Sequence, residues 1–230
     1  MTSSGTYNFS VSNADAILSA FGRLGMRRTS LLTEHLLDAQ REANFLMAEF
    51  SNRQPNLWTS ELQSIALVPG TATYTLPAYT IMILAAYIRF VNTGSTTQDR
   101  IIWPVSTTEY ASYPNKSQQG FPTVFWFDRQ IIPQITLWYV PDNTFTYTLY
   151  LQAVNQLQDV NLPNGETPNI PYRWIDVFIA GLAYRLARIY KPEQEAIRKS
   201  DYDMAWSIGS TQDVENTSFY IRPGLEAYRT

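Results

Sequence analysis

Ten residues, Thr144 to Ala153, alternate without a break. Phe145, Tyr147, Leu149, Leu151 and Ala153 fall on one side of an extended chain, and Thr144, Thr146, Thr148, Tyr150 and Gln152 on the other. Period two over this length demands a strand with one buried face. A lone strand is not stable in water, so the surrounding sequence must supply partners and a core.

Partners are legible upstream. Thr123 to Phe127 and Ile131 to Val140 flank a short Asp128-Arg129-Gln130 link, and Pro141-Asp142-Asn143 turns the chain into the alternating segment. Pro133 has no N–H to give a ladder, which predicts an edge or a bulge near the start of its strand. Ile65 to Val68, then Pro69-Gly70, then Thr73 to Leu76 reads as a hairpin. Residues 81–91 form a further apolar run, and Ser106 to Tyr113 reads as a helical turn closed by Pro114.

On both sides of this stretch the period is helical. Asn13 or Asp15 is placed to cap a short helix through Ile17, Leu18 and Phe21, stopped by Gly22 and Gly25. A longer helix, opened by Thr29 or Ser30, runs to about Asn52 with Leu32, Leu36, Ala39, Ala43, Leu46 and Phe50 at spacings of four and three. Leu37, Phe45 and Met47 widen its stripe, and Glu34, Asp38, Arg41 and Glu42 occupy its other side. After Pro171, Trp174, Phe178, Leu182, Leu186 and Ile189 form a third stripe, broadened by Ile175, Ile179 and Tyr190. Pro192 breaks that helix and begins another, which fades at Gly209.

Strands gathered between helices, rather than interleaved with them, indicate α+β. The expected architecture is a helical bundle formed by the N- and C-terminal helices, a central antiparallel β sandwich or barrel-like insertion, and an extended C-terminal arm. The expected boundaries are 1–60 for the N-terminal arm and helices and 61–160 for the β domain. Residues 161–208 are the helices that pack back on the first pair, and 209–230 are the tail.

The residue types needed for catalysis are scarce. His35 is the only histidine and lies mid-helix beside Glu34, where a helix-surface role is expected. There is no cysteine, so neither a thiol nucleophile nor a usual zinc site is available, and no disulfide argues for secretion. No glycine-rich phosphate loop is present. Asp142-Asn143 reads as turn chemistry rather than a calcium loop. The expectation is therefore no enzyme, no metal and no cofactor.

Charge narrows the partners. A net charge of −3 leaves no basic footprint for nucleic acid, and Arg27-Arg28 and the trio Arg185, Arg188 and Lys191 read as solvated helix faces. The most apolar stretch, Trp174 to Leu186, is interrupted by Asp176 and Arg185 and is shorter than the ~20 residues of a membrane span. Residues 1–10 are polar and lack a signal-peptide pattern, so a soluble chain is expected. Charged residues make up only 16%, against about 25% in ordinary domains, which suits a surface covered by neighbours. Aromatics at 14% suit either subunit interfaces or an aromatic β core.

Several segments, in order, carry a family likeness. Leu57-Trp58, Ile65 to Gly70 and Tyr74 to Pro77 resemble the segment that opens the β part of the head-to-tail adaptor (connector) proteins of tailed bacteriophages. Gly120-Phe121-Pro122 to Trp126 and Leu137 to Asp142 are similar to that family's central strands. Pro168 to Pro171, leading into Gly181 to Ala187, is similar to the helix that follows. The likeness covers roughly residues 13–208.

The resemblance implies a virion protein assembled in the host cytoplasm. It implies a homo-oligomeric ring, usually of twelve copies, between the portal protein and the tail tube or nozzle, with DNA only as passing cargo and no membrane. It also implies that a terminal segment docks on the portal. Within residues 209–230, Phe219, Tyr220, Ile221 and Tyr228 are the expected anchors, with Arg222 and Arg229 pairing the partner's acids. The competing expectations are another neck or tail-completion protein of different symmetry, or a carbohydrate-binding β module. The module would use an exposed Trp126, Trp138 or Trp103 as a stacking platform, whereas their strand positions predict a core role.

Overall fold

The computed structural model describes residues 5–7, 9–53, 57–91, 96–162 and 165–211. Among these are five α-helices and a curled seven-stranded sheet, a mixed α+β architecture.

Helix α1 (Asn13–Arg23) is capped by Ser12, whose Oγ accepts from the Asp15 N–H at 3.1 Å. Neither Asn13 nor Asp15 is the cap. Asn13 is committed elsewhere, its amide donating to the Asn161 carbonyl at 2.8 Å. Gly25, at φ +73°, ends the helix in the left-handed region that suits glycine. Helix α2 (Thr33–Arg53) begins later than Thr29 or Ser30, which sit in a separate 3-10 turn, Arg28–Ser30. His35 explains the delayed start: its Nδ1 accepts the Leu32 N–H at 2.9 Å, satisfying a backbone donor at the helix entrance.

The short α3 (Thr107–Ser112) is capped by Ser106, as its sequence suggests. Helix α4 (Ile175–Tyr190) follows a 3-10 turn, Tyr172–Trp174, and α5 (Glu195–Thr211) follows a second one at Pro192–Gln194. Rather than fading at Gly209, α5 continues to Thr211, because Gly209 is a packing site against Val177 and Trp174.

Helices α1, α2, α4 and α5 share one core, with α4 at its centre and buried on nearly every side from Val177 to Leu186. Gly181 sets the closest approach: a Cβ there would lie 2.9 Å from both Leu46 on α2 and Tyr202 on α5. The helical stripes hold in part. Ala39, Ala43, Leu46, Met47 and Phe50 are buried, but Leu32, Leu37, Phe45 and Ile189 are exposed. Leu37 and Phe45 lie on the side of α2 turned away from its buried stripe, Leu32 precedes the helix, and Ile189 lies in the last turn of α4.

The strands are β1 (Ser60–Ala66), β2 (Thr73–Thr75), β3 (Thr80–Val91), β4 (Thr97–Pro104), β5 (Gln119–Gly120), β6 (Val124–Asp128), β7 (Gln134–Trp138), β8 (Val140–Pro141) and β9 (Tyr147–Asn155). The large sheet has the order β1-β9-β3-β4-β6-β7-β2, and β5 pairs with β8 in a separate two-residue ladder. The alternation read for β9 holds, with Tyr147, Leu149, Leu151 and Ala153 all buried.

Three expectations about the strands change. The segments around Pro69-Gly70 are not a hairpin: β1 pairs with β9 and β2 with β7, at opposite edges of the sheet. A flat seven-stranded sheet would hold its edges roughly 29 Å apart. The link 67–72 spans at most roughly 25 Å fully extended, and it contains a turn closed by the Thr71 N–H on the Val68 carbonyl at 3.1 Å. The sheet therefore has to curl until its edges approach. Secondly, the sheet is not wholly antiparallel, because β4 and β6 pair in parallel over Trp103↔Val124 and Pro104↔Phe125. Thirdly, Ile131 and Ile132 belong to the exposed β6–β7 turn, while Pro133 immediately precedes β7 and leaves its ladder intact.

Inside the curl lies a second core that draws on every strand of the large sheet, including Ile88, Ile102, Phe125, Leu137 and Leu149. The link from β9 to α4 is tied to α2 by Asn44, whose Oδ1 accepts the Val160 N–H at 2.7 Å and whose amide donates to the Val160 carbonyl at 3.4 Å.

Candidate assembly surface

Alternating strands hide one face and show the other. On β1, β9, β3 and β4 the shown face carries large apolar and aromatic side chains among its polar ones. The ladders place Ser64, Tyr150, Tyr87 and Ile101 in one row across four strands. Leu62 lies two residues from Ser64 on β1, and Trp103 two residues from Ile101 on β4, so both share this face. Leu62 is 51% exposed, Ile101 62% and Trp103 66%.

At the centre of the face Tyr87 and Tyr150 stack, centroids 5.0 Å apart and planes within 5°. The Arg89 guanidinium lies 4.8 Å from the Tyr150 ring centre and makes a two-pronged bond to its cross-strand partner Asp99, 2.8 Å on each arm. The guanidinium holds the Asp99 carboxyl below its usual range, so the pair stays ionised and the face carries no net charge from it. A contiguous exposed patch of this character marks an interaction site more often than a free surface.

The neighbouring part of the outer face is closed by the protein itself. Helix α3 lies over β6 and β7. Tyr110 stacks on Trp126 at 5.5 Å and Tyr113 on Trp138 at 4.2 Å, with Tyr139 on Trp138 at 4.0 Å. The indole N–H of Trp126 donates to the Thr107 hydroxyl at 3.1 Å and that of Trp138 to the Asn115 carbonyl at 3.0 Å. Neither indole belongs to either core, and Trp103 is exposed, so the core role expected of the three is not what they do. Nor do they form a stacking platform. Trp103 and Trp138 lie in one row through Val124, but tyrosines already occupy the Trp138 ring.

The ionisable groups are engaged in holding helices together. Arg185 is not on a solvated face: its side chain is 19% exposed and bridges Glu42 at 3.2 Å and Glu49 at 2.7 Å across α4 and α2. Burial works to raise the Glu49 carboxyl. Arg185, Arg53 and the Tyr202 hydroxyl, which donates at 3.0 Å, outweigh it and hold Glu49 below the usual carboxylate range. Tyr190 donates to Asp38 at 2.7 Å, and burial with that bond pushes its phenol up to about 12. Glu42 and Asp38, expected on the outer side of α2, are therefore inter-helix acceptors. His35 packs on Tyr190 at 4.9 Å and on Phe21 at 6.2 Å. Asp142 accepts from the Thr144 N–H at 3.0 Å and the Tyr147 hydroxyl at 2.7 Å, the turn chemistry read from its sequence.

Among the described residues no three His, Cys, Asp or Glu side chains are grouped to hold a metal ion, and no helix is long and apolar enough to cross a membrane. The expected docking residues Phe219, Tyr220, Ile221, Arg222, Tyr228 and Arg229 lie outside the described residues. Sequence reasoning missed the sheet face. Its signal was present in residues 81–91, where Arg89 is the one charged residue in an otherwise apolar run, and in Tyr150 among the threonines.

No curated protein matches the chain. The family described as SU10 adaptor protein matches residues 12–222, nearly the whole length and both structural halves. The chain therefore belongs to that family and is a phage adaptor, a structural component of the virion.

Proposed function

We propose that this adaptor sits between head and tail, closing into a ring of about twelve copies under the portal and continuing the DNA channel toward the tail tube or nozzle. The observation that carries the reading is the bare apolar face of β1-β9-β3-β4 on a chain of an adaptor family, a surface that fits permanent neighbours in a particle. We assign that face to the tail-side component. A net charge of −3 suits a wall along which DNA slides without adhering. DNA is cargo in this reading, assembly takes place in the host cytoplasm, and no cofactor or reaction is involved.

The division at 1–60, 61–160, 161–208 and 209–230 then separates the helical elements near the portal from the sheet near the tail. The tail segment supplies the portal contact, with Phe219, Tyr220, Ile221 and Tyr228 as apolar anchors and Arg222 and Arg229 pairing acidic groups. The test is the solution mass by light scattering, alone and with the portal ring of the same particle. A fixed-stoichiometry complex, or a closed ring formed alone, supports the reading. A monomer that ignores the portal overturns it. Deleting residues 212–230 should abolish portal assembly with the helical circular dichroism unchanged, and assembly that survives the deletion removes the tail's role.

A further inference from the structure

We propose that neighbouring copies meet helix to helix, the outer face of α2 in one copy against the outer face of α5 and the turn that leads into it in the next, with Phe45 opposite Ile197 and Arg41 opposite Glu193. The inference rests on the ring reading above. A ring is closed by a heterologous contact, which needs two different, complementary patches on each copy. The helical half carries two such patches in addition to its core stripes.

On α2 the outward positions Leu37, Arg41, Phe45 and Ala48 recur at spacings of four and three, and Leu37 and Phe45 are 56% and 53% exposed. On α5 Ile197, Met204 and Ile208 share one face at spacings of seven and four, exposed at 58%, 69% and 65%. Each stripe covers eleven residue steps, roughly 16 Å of helix. Such a stripe normally faces a core, and among the described residues nothing covers either one.

The contacts within one copy fix how the two faces line up. Helix α2 runs antiparallel to α4, as the bonds Tyr190 to Asp38 and Arg185 to Glu42 and Glu49 require. Helix α5 turns back at Pro192 and so runs parallel to α2. Glu49 is level with Tyr202, bonded at 3.0 Å, and Arg53 is level with Trp206, its guanidinium 4.5 Å from the ring centre. Copies in a closed ring share one height, so helices aligned with the ring axis keep this register between copies. That offset sets Phe45 level with Arg198, Ala48 with Asp201 and Arg41 with Gln194, so that the outward residues Ile197, Ser200 and Glu193 each lie within one residue, about 1.5 Å, of their opposites.

The pairing is complementary in size and in charge. Ala48 and Ser200 are small and allow the helices to approach to the usual 8–10 Å or so between axes. Arg41 and Glu193 have only loose, exposed pairings within their own copy, to Asp38 at 3.6 Å and to Lys191 at 3.8 Å, so a partner across the interface gains a ready counter-charge.

The chain has no cysteine, which makes the contact directly testable. Single variants Phe45→Cys and Ile197→Cys are mixed, assembled on the portal ring and treated with a short bis-maleimide, and the double variant is treated alone. The expected result is a cross-linked dimer in the mixture only, and a ladder of multiples from the double variant. Arg41→Glu and Glu193→Arg should each lower ring yield at least about tenfold, and the two together should restore it. Both sites are on the surface, so unchanged near-ultraviolet circular dichroism shows the fold is kept. A wild-type ring of normal mass with no cross-link, and with Arg41→Glu harmless, overturns this contact and leaves the adaptor reading standing. No ring at all, with or without the portal, overturns the ring reading and the contact with it.

Discussion

The helical core and the sheet core hold the same kinds of side chain but are closed in different ways. In the helical half α4 is enclosed by its neighbours, Gly181 draws α2 and α5 to within van der Waals contact, and the buried charge of Arg185 is matched by two glutamates on another helix. In the sheet half the curl encloses the core, α3 covers the outside of β6 and β7, and the outside of β1-β9-β3-β4 is left bare. One half invests its polar chemistry in internal cohesion. The other keeps a neutral apolar surface in reserve. That division suits a part whose helices must hold a fixed shape while its sheet meets something else.

The largest expected effect tests whether the halves stand or fall together. Trp174 is fully buried, packs on Phe50, Trp58 and Trp206, and through Trp58 reaches the residues that lead into β1. Trp174→Ala should cost about 4 kcal/mol, by lost transfer energy and a residual cavity. In urea we expect one transition, shifted as a whole when followed by both tryptophan fluorescence and far-ultraviolet circular dichroism. A second transition left unmoved by the variant would show the sheet to be an independent unit.

Next in size is the ionic cross-tie. Arg185→Ala leaves Glu42 and Glu49 half-buried without their shared cation and should cost about 3 kcal/mol. Arg89 makes an ion pair of equal geometric quality on the exposed sheet face, where water screens it. Arg89→Ala should therefore leave the urea midpoint essentially in place. Equal losses from the two variants would erase the contrast between the halves.

Smaller again is the close approach at Gly181. Alanine there gains helix propensity of about 1 kcal/mol, but its methyl must displace Leu46 and Tyr202, each 2.9 Å away. Overpacking of this kind costs roughly 1–3 kcal/mol, so Gly181→Ala should be destabilising by about 1 kcal/mol net in the same urea assay. A stabilised variant would mean that the α2–α4–α5 packing is looser than these distances indicate.

What the sequence revealed was faces, and what it concealed was what those faces meet. The alternation of β9 and the stripe from Ala39 to Phe50 are set by local geometry and were legible. The partners of β1 and β2 were not, since a Pro-Gly turn closes a hairpin and a link between sheet edges with equal ease. Arg185 looked solvated because the glutamates that bury it lie more than 130 residues away in sequence. Leu37 and Phe45 looked like core because periodicity marks an apolar arc without saying how much of it a neighbour covers. Trp126 and Trp138 owe their role to Tyr110 on α3 and Tyr113 just after it, and that helix is too short to display a face of its own.

The smallest and sharpest test follows acid through the cross-tie. Glu49 is held below the usual glutamate value, about 4.3, so its ionised form is favoured more in the folded chain than in the unfolded one. Its contribution is thus fully present above that value and is lost as pH falls through the lower folded value. Glu49→Gln removes the titration and the charge together. At pH 7 the variant should be less stable than the parent, because Arg185 and Arg53 lose a carboxylate. As pH falls through the lowered folded value the parent's carboxyl takes up its proton, comes to resemble the neutral amide, and the two stabilities should converge. Urea midpoints for both proteins at pH 7, 5, 4 and 3 measure that difference directly. A gap that stays constant down to pH 3 would mean the carboxylate is not favoured by folding, and that Glu49 does not tie the helices together through Arg185 and Arg53.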